Sequence, residues 1–549
     1  MPTYLDLFSG CGGISAGFRD AGYQCLLAVD HDPRAVAVYN ANFATTGRGE
    51  AVVADLNTLR SHVAVTEFLA EYDIHPGTCD VVVGGPPCQS FSVVGRTKIK
   101  ALIETNGDLE TYWRNRERER TSLFEVYALF LEVLMPRWFL FENVPAIRSH
   151  RVFGQIAQRF ESLRTTDGAA FRYVMFDGVY SAADYGVPQN RRRFIRVGYR
   201  ADLALDKWVS PKKFPGPKVR WALGDLPPIE SGTTAATIHY GTAAWHWYAR
   251  MMRRNVGLGA QAKATFHICR KHNVDDTALF AEMKPGAKFA DPEVQAIIPK
   301  VNPSHKLLKY STEKFADKLH RLDPNRVAWT VTAHLQKDCY KFIHYRDART
   351  ISVREAARLQ SFPDHFSFGR TKMGPAFRMI GNAVPPLLAR AFAESFIASD
   401  ATLAWRRREL AARALPDDLW VRLERLWPQC RPARGRKPLN KRNLLVGILY
   451  VLGSGIPWDL LPTSLQSGAG STCRNYYERW KAIGEWDRIQ EIVRQWASEH
   501  PAVSERTPSF WDLVYSPENT AQVLLHLVSS SVRISVCKAN ITCETATAS

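Results

Sequence analysis

The sequence predicts an α/β fold, a parallel sheet with helices on both faces, and two observations carry that prediction. Short apolar runs rich in Val, Leu and aromatic residues recur at 4–8, 25–30, 51–55, 80–85, 138–143 and 173–176, with helix-like segments between them. Such near-continuous apolarity is what strands buried on both faces require. Segments 33–43 and 122–135 carry Ala, Leu, Val and Tyr at three-to-four spacing, as helices packed on a sheet do. Ligands of such sheets bind beyond the carboxyl ends of the strands, so the residues that follow each run are the candidates for chemistry.

A chain of 549 residues, 46% hydrophobic and 23% charged, has the material for a large core and for two to four domains of roughly 100–200 residues each. Five segments are expected: a sheet domain at 1–199, an irregular Pro, Gly, Lys and aromatic-rich domain at 200–350, a return to the sheet domain at 351–400, a helical segment at 405–500, and a poorly structured tail at 501–549. The net charge of +18 favours a polyanionic partner, because neutralising phosphates releases counterions. Ten scattered cysteines form no CxxC pair or His–Cys cluster, which argues against a metal site and against a disulfide framework. The start lacks a basic stretch followed by an apolar core, and no apolar run reaches the roughly 18 residues of a membrane span. A soluble, cytoplasmic protein with no membrane partner is expected.

The first run leads into a glycine-rich turn, Phe8, Ser9, Gly10, Cys11, Gly12 and Gly13, where backbone can approach a nucleotide-like ligand. Ser15 stands where the dinucleotide pattern GxGxxG needs its last glycine, so a nicotinamide or flavin is disfavoured. Asp30, followed by His31, ends the second run, and Asp55, followed by Leu56, ends the third. One carboxylate suits ribose hydroxyls and the other an adenine amino group, unless each merely caps the helix that follows. The fourth run ends in Gly84-Gly85-Pro86-Pro87-Cys88-Gln89-Ser90-Phe91-Ser92, a stiff turn that presents the Cys88 thiol to a substrate. The fifth ends in Glu142-Asn143-Val144, where an apolar strand raises the Glu142 pKa and fits it to hold or donate a proton. A thiolate and a carboxylic acid together suit cytosine: addition at carbon 6, with a proton at ring nitrogen 3, makes carbon 5 nucleophilic enough to accept a methyl group.

These residues, in this order from about Thr3 to Phe396, resemble the DNA (cytosine-5)-methyltransferases. The resemblance implies a Rossmann-like sheet that binds S-adenosylmethionine, with Phe8, Ser9, Gly10, Gly12, Gly13, Asp30, His31, Asp55, Leu56, Pro86, Asn382 and Val384 lining its site. It implies Cys88 as nucleophile, Glu142 as acid, and Arg191 and Arg193 of Gln189-Asn190-Arg191-Arg192-Arg193 facing a flipped-out base. Arg192, pointing the other way, better suits a phosphate. Region 200–350 corresponds to a target-recognition domain for double-stranded DNA, and Gln89, Ser90, Ser92, Gln189, Thr330 and Thr332 are the expected DNA contacts. The polar stretch 97–120 corresponds to a loop that closes over DNA, or else is a solvated insertion. Asp30 departs from the glutamate usual at its position, a shorter reach to ribose. A monomer associated with the nucleoid through DNA is expected, with or without a companion restriction endonuclease. A tRNA cytosine-5 methyltransferase and a catalytically dead DNA-binding protein are the alternatives; the basic region 200–350 disfavours the first and intact Cys88, Glu142, Arg191 and Arg193 the second.

Residues 415–492, with Arg434-Gly-Arg-Lys-Pro438 and the apolar core at 444–458, resemble the N-terminal segment of IS5-type insertion-sequence transposases. No room remains for their DNA-cutting acidic triad, so the segment is expected to be the scar of a mobile element.

Overall fold

In the computed structural model, the residues described are 1–44, 49–87, 123–150, 152–203, 208–235, 237–313, 315–403, 415, 417–427, 440–454, 458–461 and 467–499. Cys88, Gln89, Ser90, Ser92, the stretch 97–120 and the tail 501–549 lie outside them. The described residues group into two compact units, Pro2–Phe396 and the chain from Ile397 onward.

In the first unit the strands are β1 (Thr3–Leu7), β2 (Gln24–Asp30), β3 (Ala51–Val53), β4 (Val81–Gly84), β5 (Trp138–Asn143), β6 (Tyr173–Ser181), β7 (Gln189–Asn190) and β8 (Arg192–Arg200). All but β7 form one sheet in the order β3-β2-β1-β4-β5-β8-β6. β1 to β5 are parallel, whereas β8 runs antiparallel to both β5 and β6. The expected parallel sheet with helices on both faces is present, with an antiparallel pair, β8 and β6, at one edge. The connection from Ser181 to Arg192 is too short for the crossover that a parallel neighbour needs, so the chain turns back. Strand order reverses between β1 and β4, which opens a crevice at their carboxyl ends.

Helices α1 (Gly13–Asp20), α2 (Pro33–Phe43), α3 (His62–Ala70), α4 (Leu123–Leu134) and α5 (Val152–Glu161) alternate with the first strands. Consecutive strand residues face opposite layers. Trp138 stacks at 4.8 Å on Phe396, while its neighbour Phe139 meets Tyr127 of α4 edge-on at 6.4 Å. Leu5, Leu7, Val82, Phe139 and Phe141 belong to one core with α3, α4 and α5. On the other face Gly17 lets the chain pass close: a Cβ there would lie 2.3 Å from the Pro386 carbonyl oxygen.

Region 200–350 is less irregular than its composition suggests. It holds α6 (Val219–Leu223), α7 (Trp247–Arg253), α8 (Val274–Glu282), α9 (Pro292–Val301) and a small antiparallel pair, Thr237–His239 with Lys263–Thr265. Leu279, Phe280, Val294, Ile298 and Leu319 give it a core of its own. The chain returns through α10 (Val353–Leu359), whose Ser352 and Glu355 form a capping box, then α11 (Met373–Asn382) and α12 (Pro386–Ser399). Buried ion pairs fasten α10 to this region, Arg358 meeting Asp225 and Glu355 meeting Arg349 at 2.8 Å, while Arg358 also meets Asp364 just beyond the helix. Removing one partner of such a pair strands a buried charge, which is how it enforces one docking geometry.

The second unit contains α13 (Asp417–Glu424), α14 (Lys441–Ser454), α15 (Gly470–Ala482) and α16 (Glu485–Glu499). Leu419, Leu423, Leu444, Ile448, Ile489 and Val493 are buried there, and Trp427 stacks on Trp480 at 5.0 Å. Among the described residues no helix is long and apolar enough to cross a membrane, and no group of three His, Cys, Asp or Glu side chains is placed to hold a metal.

Candidate active site

Leu7 pairs with Gly84, and Gly84 with Phe141, so the segments that leave β1, β4 and β5 emerge side by side at one edge of the sheet. The turn after β1 is held in an unusual backbone. Phe8, Gly10 and Gly12 all have positive φ, at 60°, 55° and 93°. Ser9 N–H donates to the Val29 carbonyl at 3.0 Å and Gly10 N–H to Asp30 Oδ2 at 2.8 Å. Asp30 Oδ1 accepts from Asp32 N–H, also at 2.8 Å, so this carboxylate staples the turn to β2. A Cβ on Gly10 would meet nothing within 4 Å, which leaves that face of the turn open. Beneath it, the buried Ser9 Oγ and Asp6 Oδ1 have no hydrogen-bond partner among the described residues. Asp6 is fully buried and hydrogen-bonded to Ser15, and burial pushes its pKa up to about 7.

The segment after α11 folds against this turn. A Cβ on Gly13 would lie 2.3 Å from the Val384 carbonyl oxygen and 3.0 Å from Ala383 Cβ. Val384 is buried and Asn382 exposed beside it. Asp55 is exposed and accepts from Asn57 N–H at 3.0 Å, the capping role; Leu56 is buried and His31 is largely exposed, 3.4 Å from Asp30.

Glu142, near the end of β5, lies 2.8 Å from Arg193 Nε, each side chain 13% exposed. Burial raises the Glu142 pKa above its ordinary value, and the nearby Arg193 and Arg191 oppose that rise. A Cβ on Gly85 would come 2.6 Å from Glu142 Oε2, so the missing side chain lets the turn that leads to Cys88 lie against the carboxyl group. Asn143 Nδ2 donates to the Pro86 carbonyl at 3.3 Å and its Oδ1 accepts from Val144 N–H, which pins the buried Pro86. Sequence reasoning missed Gly85 and Asn143, though both stand inside the segments it singled out.

The Gln189–Arg193 segment divides its labour. Arg192 is exposed and Arg193 serves Glu142, but Arg191 is buried and donates to the carbonyls of Val331 at 2.7 Å and Gly381 at 3.0 Å. Gln189, expected to contact DNA, is turned inward in the chain without DNA. Gln189 is fully buried, donating to Leu359 and Gln360 and accepting from Val331 N–H at 2.7 Å. Its polarity suggested a ligand; its partners lie 142 to 171 residues away, where spacing gives no cue. Thr330 Oγ1 donates to the Asn190 carbonyl, and Thr332 is exposed.

The architecture and this edge bring an open glycine turn next to a buried acid in an α/β fold. Residues 3–398 match the family model of C-5 cytosine-specific DNA methylases. Among similar proteins, the type II methyltransferase M.AgeI of Thalassovita gelatinovora is 32% identical over 71% of this chain and 98% of its own length. M.DdeI of Desulfomicrobium norvegicum is 30% identical over 71% of this chain and 87% of its own. A solved chain described as a DNA modification methyltransferase encoded within an E. coli prophage shares the fold, with a TM-score of 0.53 and 23% identity over 73% of this chain and 99% of that one. The chain belongs to the C-5 cytosine-specific DNA methylases and is a DNA (cytosine-5)-methyltransferase. Residues 415–490 match a second model, of IS4/5-family transposase sequences (DUF4096).

Proposed function

We propose that this chain transfers a methyl group from S-adenosylmethionine to carbon 5 of cytosine within a specific duplex sequence, as the modification enzyme of a restriction–modification system or as an orphan methylase. The observation that carries the reading is the Glu142–Arg193 pair beside Gly85, three residues before Cys88. The target base leaves the helix, since neither face of a stacked base is open to attack. Cys88 thiolate forms a bond to carbon 6, and Glu142 holds or delivers the proton at ring nitrogen 3 that receives the displaced electron density. Arg193 orients that carboxyl group.

When bound, S-adenosylmethionine supplies an electrophilic methyl group, which carbon 5 takes. Solvent then takes the carbon 5 proton, the Cys88 thiolate leaves carbon 6, and Glu142 recovers the proton from nitrogen 3, which restores the aromatic ring. The open face of Gly10 and the unpartnered Ser9 Oγ fit a polar, nucleoside-bearing ligand, with Asn382 and Val384 closing its far side. Asp30 reaches a ribose only with the lone pairs its two backbone hydrogen bonds leave free. Region 200–350, with Thr332 exposed, is the reader of duplex DNA. The chain acts as a monomer in the cytoplasm, and its transposase-like unit is a dispensable insertion scar.

A duplex carrying 5-fluorocytosine in place of cytosine tests the chemistry, because fluorine cannot leave carbon 5 as a proton does. A denaturant-resistant complex with the wild-type chain, absent for Cys88→Ser, is expected. A complex of equal yield with both chains removes Cys88 from the role of nucleophile.

A further inference from the structure

Four consecutive carbonyl groups, of residues 380 to 383, close the end of α11, where helical donors run out and Ile380 accepts only a long bond from the Ala383 N–H at 3.3 Å. Two buried side chains take all four. Gln360 Nε2 donates to Ile380 at 3.0 Å and to Ala383 at 2.7 Å. Arg191 donates to Gly381 at 3.0 Å and to Asn382 at 3.5 Å. Gln360 is fully buried, and its Oε1 is fixed in turn by Gln189 Nε2 at 2.5 Å. Gly381 cannot carry a side chain here, because a Cβ would fall 2.2 Å from Ala333 N, so the segment has no slack on that side. On its other side the next residue, Val384, lies against Gly13 of the glycine turn.

The geometry points to Gln360 as a positioning residue for the methyl donor: it touches no ligand, and it sets the backbone that brings Asn382 and Val384 against the glycine turn. The assignment rests on the reading of that turn as the donor site. Without the two Gln360 N–H donors the partly buried Ala383 carbonyl loses this partner and Ile380 is left with the longer bond from the Ala383 N–H, and the segment relaxes away from Gly13. Of these four carbonyls Arg191 reaches the two between them. Donor binding then weakens while the Glu142–Arg193 pair, on β5 and β8, keeps its geometry.

Gln360→Met, close in size and without hydrogen-bonding groups, is the direct test in the full-length chain. Isothermal titration with S-adenosylhomocysteine is expected to give a dissociation constant about tenfold or more above wild type. In turnover, KM for the donor rises by a similar factor and kcat at saturating donor stays within about threefold. Gln360→Glu keeps the shape and the contact with Gln189 but turns a carboxylate toward carbonyl oxygens. Its donor affinity is expected to recover as pH falls and the carboxyl regains a proton it can donate, a dependence that a merely structural role does not produce. A folded Gln360→Met chain that binds S-adenosylhomocysteine within twofold of wild type overturns the assignment, as does a Gln360→Glu chain with pH-independent affinity. Failure of the wild-type chain itself to bind S-adenosylhomocysteine removes the donor-site reading and this inference with it.

Discussion

Glu142 and Arg193 meet at 2.8 Å on adjacent antiparallel strands, so the acid is held between two opposed influences. Burial raises its pKa, and the guanidinium groups of Arg193 and Arg191 restrain the rise. Removing Arg193 leaves burial less opposed. The proton on Glu142 then persists to higher pH, and the alkaline limb of kcat/KM for Arg193→Gln should move upward relative to wild type, on a lower overall rate. A limb that stays in place or moves down contradicts the pairing.

Glu142→Gln keeps the shape of the side chain and its power to hydrogen-bond, but not the ability to give up a proton. Loss of such a stabilising group costs roughly 3–4 kcal/mol in the transition state, so single-turnover methylation should slow at least about a hundredfold. Binding of S-adenosylhomocysteine, measured by titration, should change little.

Gly13 and Gly10 share one turn and predict different failures. Alanine at 13 drives a Cβ into the Val384 carbonyl, so Gly13→Ala should lower donor affinity by an order of magnitude or more and reduce Tm. Alanine at 10 has space in the ligand-free chain, where it costs only its positive φ, about 1–2 kcal/mol of stability, although its Cβ enters the face proposed for the donor. Thermal unfolding of the ligand-free chains separates the two; a Gly13→Ala chain no less stable than Gly10→Ala contradicts the packing argument.

Asp6 makes stability depend on pH. Its folded-state pKa of about 7 lies above its ordinary value near 3.8, so the folded chain holds the proton longer than the unfolded one. The stability this confers is present at acid pH and is lost as pH rises through 7, by up to about 4 kcal/mol. Asp6→Asn carries no such proton. Its Tm relative to wild type should therefore be higher at pH 8 than at pH 5 in the ligand-free chain; a difference that does not grow with pH argues against an ionising, buried Asp6.

Much of this fold was legible because β1 to β5 carry unbroken apolar runs, and the chemistry-bearing residues follow those runs directly. The direction of β8 was not, since an apolar run reads the same whichever way its neighbour points. The same limit applies at Gln189 and Gln360. Residue type marks them as polar, while their roles come from backbone groups brought together across long stretches of chain. Asp30 and Asp55 were legible as acids at strand ends and the cap at Asp55 was one of the two roles open to it, yet the staple that Asp30 makes to Gly10 depends on turn geometry that spacing does not encode.

The central claim is tested most directly by bisulfite sequencing of plasmid DNA from cells without other cytosine methylation, expressing the full chain, its Cys88→Ser variant, or a chain ending at Ser399. Protected cytosines in one short sequence context are expected with the full chain and with the shortened one, and none with Cys88→Ser. An absence of protected cytosines with a soluble full chain that binds S-adenosylmethionine would contradict DNA cytosine methylation, and protection by Cys88→Ser would contradict the mechanism.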